Sequence, residues 1–214
     1  MKIILAIILF LGGNISSAQY AEEDWKDRDT WMHLDQIFAL VEVGEGDQVA
    51  DIGCHEGYLS FHLAVQVGNI GKVYAVDVQE ERLNDFKEHI KKRKVLNIEV
   101  IQGDYDNPKL PDSKLDVVFI VDTYHEINDY MEVLQHVKKA LKPAGKLLVL
   151  EKLKDPQKGK SRDEQARAHT LAPKYVRQEL QEAGFKITNE VLDFGIWNHE
   201  PGKNMWILVA EIKE

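Results

Sequence analysis

Apolar positions along this chain fall into short runs separated by stretches of helical period. "QVADI", "KVYAVDV", "IEVIQ", "LDVVFIV" and "KLLVLE" are apolar runs of strand length. Between the first two, "GYLSFHLAVQVG" predicts a helix ended by Gly68. "EERLNDFKEHIKKRK" predicts an amphipathic helix with Leu83, Phe86 and Ile90 on one face and a basic end that suits the helix dipole. A helix over about 129–142 follows the fourth run, with Asp129 and Glu132 as a capping box and Tyr130, Val133, Val137 and Leu141 along one side. Pro143 and Gly145 stop it. "PKYVRQELQEAG" has proline at a helix start and glycine just past its end. "ITNEVLDFGI" and "MWILVAEI" read as two last strands, and the "WNHEPGKN" between them permits a direct antiparallel return. Ahead of the first strand, "EEDWKDRDTWMHLDQIFALVEV" is helical in its second half, with Trp31, Ile37, Leu40 and Val41 on one face. The polar, poorly patterned 152–168 is expected to be a mobile loop.

Strands that alternate with helices imply a parallel sheet covered on both faces. The two consecutive strands at the end add one antiparallel strand, giving an α/β fold with a mostly parallel seven-stranded sheet. Ligands of such folds bind outside the carboxyl ends of the strands, where strand order reverses. Polar residues gather at those ends: "DIG" after the first strand, Asp77 after the second, "GD" after the third and Asp122 after the fourth.

Composition changes the picture at the N-terminus. The 214 residues, 44% hydrophobic and 29% charged, suit one domain with a sizeable core. "MKIILAIILFLGGNISSAQ" has a basic Lys2, an apolar run and small residues before Gln19, the layout of a secretory signal peptide ending near Ala18. The apolar run is short for a membrane span, so no stable span is expected after cleavage. The chain therefore divides into a signal over 1–18, an N-terminal helical segment over 19–44 and a main domain over 45–214. Export to the periplasm or exterior follows if the signal is used, and a cytoplasmic location if it is not. Cys54 is the only cysteine, so no intramolecular disulfide can form. The net charge of −9 argues against a nucleic-acid partner and fits a small-molecule one. Nothing in the sequence speaks to oligomeric state.

The candidate site begins at "DIGCHEG". Gly53 and Gly57 bracket a turn that would pass close to a ligand, and the helix after Gly57 points backbone N–H groups toward it. Asp77 lies at the end of the second strand, where a carboxylate can accept hydrogen bonds from both hydroxyls of a ribose. Asp104 follows the third strand and could accept from an adenine amino group. Together these point to a nucleoside-type cofactor.

"VADIGCHEGYLSFHLA", "KVYAVDVQ", "IQGDYD", "LDVVFIVDTYHEI", "ALKPAGKLLVLE" and "LQEAGF" resemble successive motifs of the class I S-adenosylmethionine-dependent methyltransferases, in the small-molecule branch that includes the quinone C-methyltransferases. The resemblance runs from about Gln48 to Glu211 and implies a Rossmann-like methyltransferase domain with S-adenosylmethionine as cofactor. It places Asp51 and Gly53 along the methionine part, Asp77 on the ribose and Val78 beside the adenine. Asp104 would bind the adenine amino group with Tyr105 packed nearby, and Val121 and Asp122 would face the methionine amino group and the acceptor. The family commonly has glycine where this chain has His55, so a bulky residue must be accommodated there.

Methyl transfer is a direct displacement that needs donor and acceptor held in line, with a base where the acceptor carries a proton. His125 and Glu126 follow the fourth strand, and His125 is the first choice for a base or acceptor-orienting group; satisfying backbone groups at the helix start is its alternative role. His169, before a helix expected over the site, is a second candidate. Trp25, Arg28 and Trp31 either form a lid over the cofactor or pack on the sheet edge. No metal is expected: "EKLKDP" lacks the Asp-Asn pair of the magnesium-dependent branch, and the histidines are scattered. A nicotinamide-dependent oxidoreductase is disfavoured because neither Tyr124 nor Tyr130 is followed by lysine at the fourth position. An exported binding or scaffold protein without catalysis remains open, since the cofactor is made in the cytoplasm and the signal implies export.

Overall fold

A computed structural model describes residues 22–213. The expected signal and its cleavage site lie outside the described residues. Among the described residues no helix is long and apolar enough to cross a membrane.

The seven strands are β1 (Gln48–Ile52), β2 (Lys72–Asp77), β3 (Ile98–Gln102), β4 (Leu115–Val121), β5 (Leu141–Lys154), β6 (Phe185–Ile196) and β7 (Lys203–Ile212). The helices are α1 (Trp25–Met32), α2 (Leu34–Val41), α3 (Tyr58–Gln66), α4 (Glu80–Arg93), α5 (Tyr130–Ala140), α6 (Arg162–Arg167) and α7 (Pro173–Glu182). They form one sheet in the order β3-β2-β1-β4-β5-β7-β6, with β7 antiparallel to both of its neighbours and every other pairing parallel. The expected architecture, including its single antiparallel strand, is the observed one.

The period of two along the strands builds the two layers. On β4, Val117, Phe119 and Val121 enter one core with Phe38 of α2, Leu63 of α3 and Phe86 of α4. Val118 and Ile120 enter the other with Leu134 and Val137 of α5 and Val176 and Leu180 of α7. Strand order reverses between β1 and β4; β2 and β4 pair with β1 on opposite edges along Val49–Ile52. A crevice opens at the carboxyl ends there.

Three expectations change. The N-terminal helix starts earlier, at Trp25, and breaks at His33, whose φ of 50° is left-handed. Trp31, Ile37 and Val41 still reach one core across the break, with Leu40 half-buried against it. Asp129 makes no side-chain cap to α5 and is among the residues that line the crevice. Residues 152–168 are ordered structure rather than a loop. β5 continues to Lys154 because its polar residues still pair with β7, Lys152 opposite Met205 and Lys154 opposite Lys203. Ser161 and Glu164 then cap α6 reciprocally. The buried Gln165 amide donates to the carbonyl of Gln157 (2.9 Å) and accepts from Ala172 N–H (2.8 Å). Side-chain hydrogen bonds fix this segment, so it shows no apolar period.

Candidate functional site

The turn after β1 is shaped by protein packing before any ligand is considered. Gly53 (φ 81°) and Gly57 (φ 95°) both occupy left-handed conformations. A Cβ on Gly53 would collide with the Thr123 side chain, and one on Gly57 with the Phe86 ring. The close approaches that demand glycine are thus to Thr123 and Phe86. His55 also sits at positive φ, 51°, and so supplies the backbone shape for which glycine is usually chosen. The loop is stitched to β2: Gly53 and Cys54 N–H both donate to the Val76 carbonyl, at 2.8 and 3.0 Å. His55 N–H donates to Asp77 Oδ2 (3.0 Å) and Gln79 N–H to Asp77 Oδ1 (2.9 Å). Each Asp77 oxygen keeps a second lone pair.

A cavity of about 660 Å³ lies over this turn, at the end of the sheet where strand order reverses. Asp51, Gly53, His55, Asp77, Val78, Asp104, Tyr105, Asp122 and Glu126 line it; Gly57, His125 and His169 do not. Gly57 starts α3 against Phe86, one layer behind the turn. Burial pushes the Asp51 carboxyl up to about 6, against the lowering effect of the Ser60 hydroxyl that donates to it at 2.6 Å. Burial, helped by the nearby Arg82 and Arg28 charges, pushes His55 down to about 4 and so keeps it neutral near pH 7. Asp104 is exposed and paired with Lys109 (2.8 Å), and Tyr105 stands largely in solvent.

Of the three N-terminal residues only Arg28 reaches the cavity. It is buried, with its guanidinium 4.3 Å from the Tyr58 ring centroid. Trp25 packs on Phe61 and Trp31 on Trp197 (4.7 Å between centroids), which anchors α1 to the domain.

At the β4–β5 end, charges are buried in pairs. Asp122 pairs with Lys152, whose ammonium lies 4.5 Å from the Trp197 ring centroid. His125 lies behind the cavity wall with its side chain 2% exposed. Its Nδ1 is 2.8 and 3.0 Å from the two Glu151 oxygens, and its backbone N–H donates to Glu151 Oε1 at 3.0 Å. Burial lowers the basicity of His125, but the negative charges of Glu151 and Asp122 more than offset it and the net shift is upward. His169 is exposed, its Nδ1 3.5 Å from Glu126 Oε1. Sequence reasoning missed Glu151, Lys152, Thr123 and Arg82. The available signal was the acid and base that close the apolar run "KLLVLEK", two charges on a strand otherwise destined for the core.

A model of the methyltransferase domain matches residues 44–194. The chain belongs to the methyltransferase domain family. This methyltransferase chain is 32% identical over 111 residues to a demethylmenaquinone methyltransferase from Geobacillus, covering 52% of the chain and 47% of that relative. It is 31% identical over 116 residues to one from Listeria welshimeri, covering 54% and 49%. The chain therefore spans about half the length of the curated relatives it matches. Among solved structures, a SAM-dependent methyltransferase from Aquifex aeolicus superposes with a TM-score of 0.73 at 27% identity, covering 87% of this chain and 93% of that one. A sarcosine dimethylglycine methyltransferase, so described, from Galdieria sulphuraria shares the fold, with a TM-score of 0.71 at 14% identity over 86% of each chain.

The family's cofactor is S-adenosylmethionine, and the cavity residues fit it. The volume is within the range of small-molecule sites. Asp77 presents a fixed carboxylate at the β2 end. Asp51 offers negative charge for an ammonium or a sulfonium, Asp122 lines the wall already paired with Lys152, and Arg28 offers a cation for a carboxylate.

Proposed function

We propose that the protein transfers a methyl group from S-adenosylmethionine to a small-molecule acceptor. One observation carries this reading: the cavity at the strand-order reversal is lined by Asp51, Asp77, Asp104 and Asp122 from four successive strand ends. The cofactor supplies an activated methyl on a positively charged sulfur. Asp77 and Asp104 would hold its nucleoside part, with Val78 and Tyr105 beside the base. Asp51, Gly53, His55 and Asp122 would line its methionine part, where Arg28 complements the carboxylate. The cavity walls would hold donor and acceptor in line.

The acceptor would lie beside Glu126, which lines the cavity next to Ile127 and Asn128. Glu126 would take or orient an acceptor proton, with His125 and His169 both approaching its Oε1. His125 then acts through Glu126 as a positioning residue, held in turn by Glu151. A concave cavity of this size and a net charge of −9 support a small acceptor over nucleic acid. The relatives' names make demethylmenaquinone the first acceptor to assay. The N-terminal signal layout supports export, which fractionation of cells into cytoplasm and periplasm tests.

The decisive experiment follows S-adenosylhomocysteine release from S-adenosylmethionine with an acceptor panel led by demethylmenaquinone. Acceptor-dependent release is the expected result. Cofactor binding with no release for any acceptor would instead support an exported binding protein that keeps the fold.

A further inference from the structure

Scattering along the sequence says nothing about arrangement in space, and the fold gathers two of the histidines around one carboxylate. His125 Nε2 lies 3.7 Å, and His169 Nδ1 3.5 Å, from Glu126 Oε1. The two rings meet edge to face with centroids 5.7 Å apart. Such separations are long for hydrogen bonds. They approach the ligand–ligand spacing, roughly 3.3–3.5 Å, of a tetrahedron with metal bonds of about 2.0–2.1 Å.

His125 supplies an independent observation. Its side chain is 2% exposed, and its Nε2 is buried with no hydrogen-bond partner. Its Nδ1 is held by Glu151. With the ring proton on Nδ1, facing that carboxylate, the Nε2 lone pair points at Glu126 and His169. A buried ring nitrogen with no hydrogen-bond partner, beside a carboxylate and a second imidazole, has the donors around it for a bound cation.

We propose that His125, Glu126 and His169 form a binding site for a divalent transition metal of the zinc type at the mouth of the cavity. Two imidazoles and one carboxylate are the donor set of catalytic zinc sites, which keep a fourth position open. Glu151 takes the supporting place, a carboxylate behind a ligating histidine that fixes its tautomer and orientation. The other acidic grouping nearby, Asp122, His125 and Glu151, is already used internally, since Asp122 pairs with Lys152 and Glu151 with His125. Glu126 lines the cavity, so the open position faces it. There it suits an oxygen or sulfur donor on the acceptor, whose proton a bound cation makes easier to lose to the Glu126 oxygen that does not ligate. That role rests on the methyl-transfer reading above; metal binding does not.

The test is titration of the chelator-stripped, tag-free full chain with zinc(II) against a chromophoric chelator, and with cobalt(II) followed by visible spectroscopy. The parent should bind about one equivalent, and its cobalt form should show the d–d bands of a four- or five-coordinate site. His169→Ala removes an exposed side chain, so it should weaken binding at least tenfold without moving the unfolding midpoint. Glu151→Gln should weaken it about 10–100-fold, and Glu126→Gln serves in its place if circular dichroism shows the former misfolded. His136→Ala, on α5 and outside this grouping, should bind like the parent. Absence of stoichiometric binding by the parent, or full-strength binding by His169→Ala, overturns the site. Titration of stripped and loaded protein with S-adenosylmethionine separates the two claims. No cofactor binding in either form defeats the methyltransferase reading alone, and no metal binding defeats only the site.

Discussion

The two ends of the cavity are held by different physics. At the β2 end, Asp77 is half-buried and both of its oxygens accept backbone N–H groups of the adjoining turns. At the β4–β5 end, side chains hold side chains: Asp122 with Lys152 and His125 with Glu151, all four buried. Backbone donors stay in place when the carboxylate between them is changed, and water can reach them. A buried ion pair is different, because removing one partner strands the other in a low-dielectric interior. The β2 end can therefore vary its ligand chemistry at modest structural cost, whereas the β4–β5 end couples fold stability to the geometry around Glu126.

The largest expected effect breaks the buried end. Glu151→Ala leaves the His125 ring and backbone N–H without their shared acceptor. It should lose about 3–5 kcal/mol of stability in urea unfolding. A loss under 1 kcal/mol would mean that the two ends are held alike.

Gly57→Ala probes the turn itself. The new Cβ meets the Phe86 ring at a φ of 95°, so the variant should lose roughly 1–3 kcal/mol. Its cofactor affinity should fall less than its stability, since Gly57 does not line the cavity.

Asp51 gives the comparison a pH axis. Burial raises its pKa in the folded state to about 6, above its ordinary value of 3.8. Its contribution to stability is therefore fully present below about pH 3.8 and is lost as pH rises through about 6. Asp51→Asn should be more stable than the parent at pH 7, with the difference vanishing near pH 4. Parent affinity for S-adenosylmethionine should rise between pH 5 and 7 as the carboxylate ionises beside the ligand's cations. The asparagine variant should lose that rise. Parallel titrations of both proteins across that range check the sign.

The smallest effect belongs to the exposed His169. His169→Ala should shift stability by no more than about 0.5 kcal/mol, so any functional loss in it reports on the site rather than the fold.

Legibility follows the same division. The β2 end could be read because its residues are placed by chain direction: a carboxylate closing an apolar run, beside glycines that mark a turn. Asp51, Asp77 and Asp104 needed only the rule that ligands sit at strand ends, and the same rule reached Asp122 but not its partner Lys152. The buried end resisted because its meaning is pairwise and long-range. Glu151 closes a run that reads as complete without it, and only the fold brings it to His125. The segment over 152–168 hid for a related reason, since Gln165 and the Ser161–Glu164 box stabilise it through polar bonds that leave no hydrophobic period. The break at His33 was equally silent, because a left-handed histidine carries no marker of the kind a glycine gives.

The central claim is that the Asp77 end of the cavity binds the nucleoside part of S-adenosylmethionine. Isothermal titration of the protein and of Asp77→Ala with that ligand tests it most directly. The account predicts about one site in the parent. In the variant, affinity should be lower by at least tenfold, of the order expected for hydrogen bonds to a charged group, while the unfolding midpoint changes little. No binding by the parent, or equal binding by the two proteins, would contradict it.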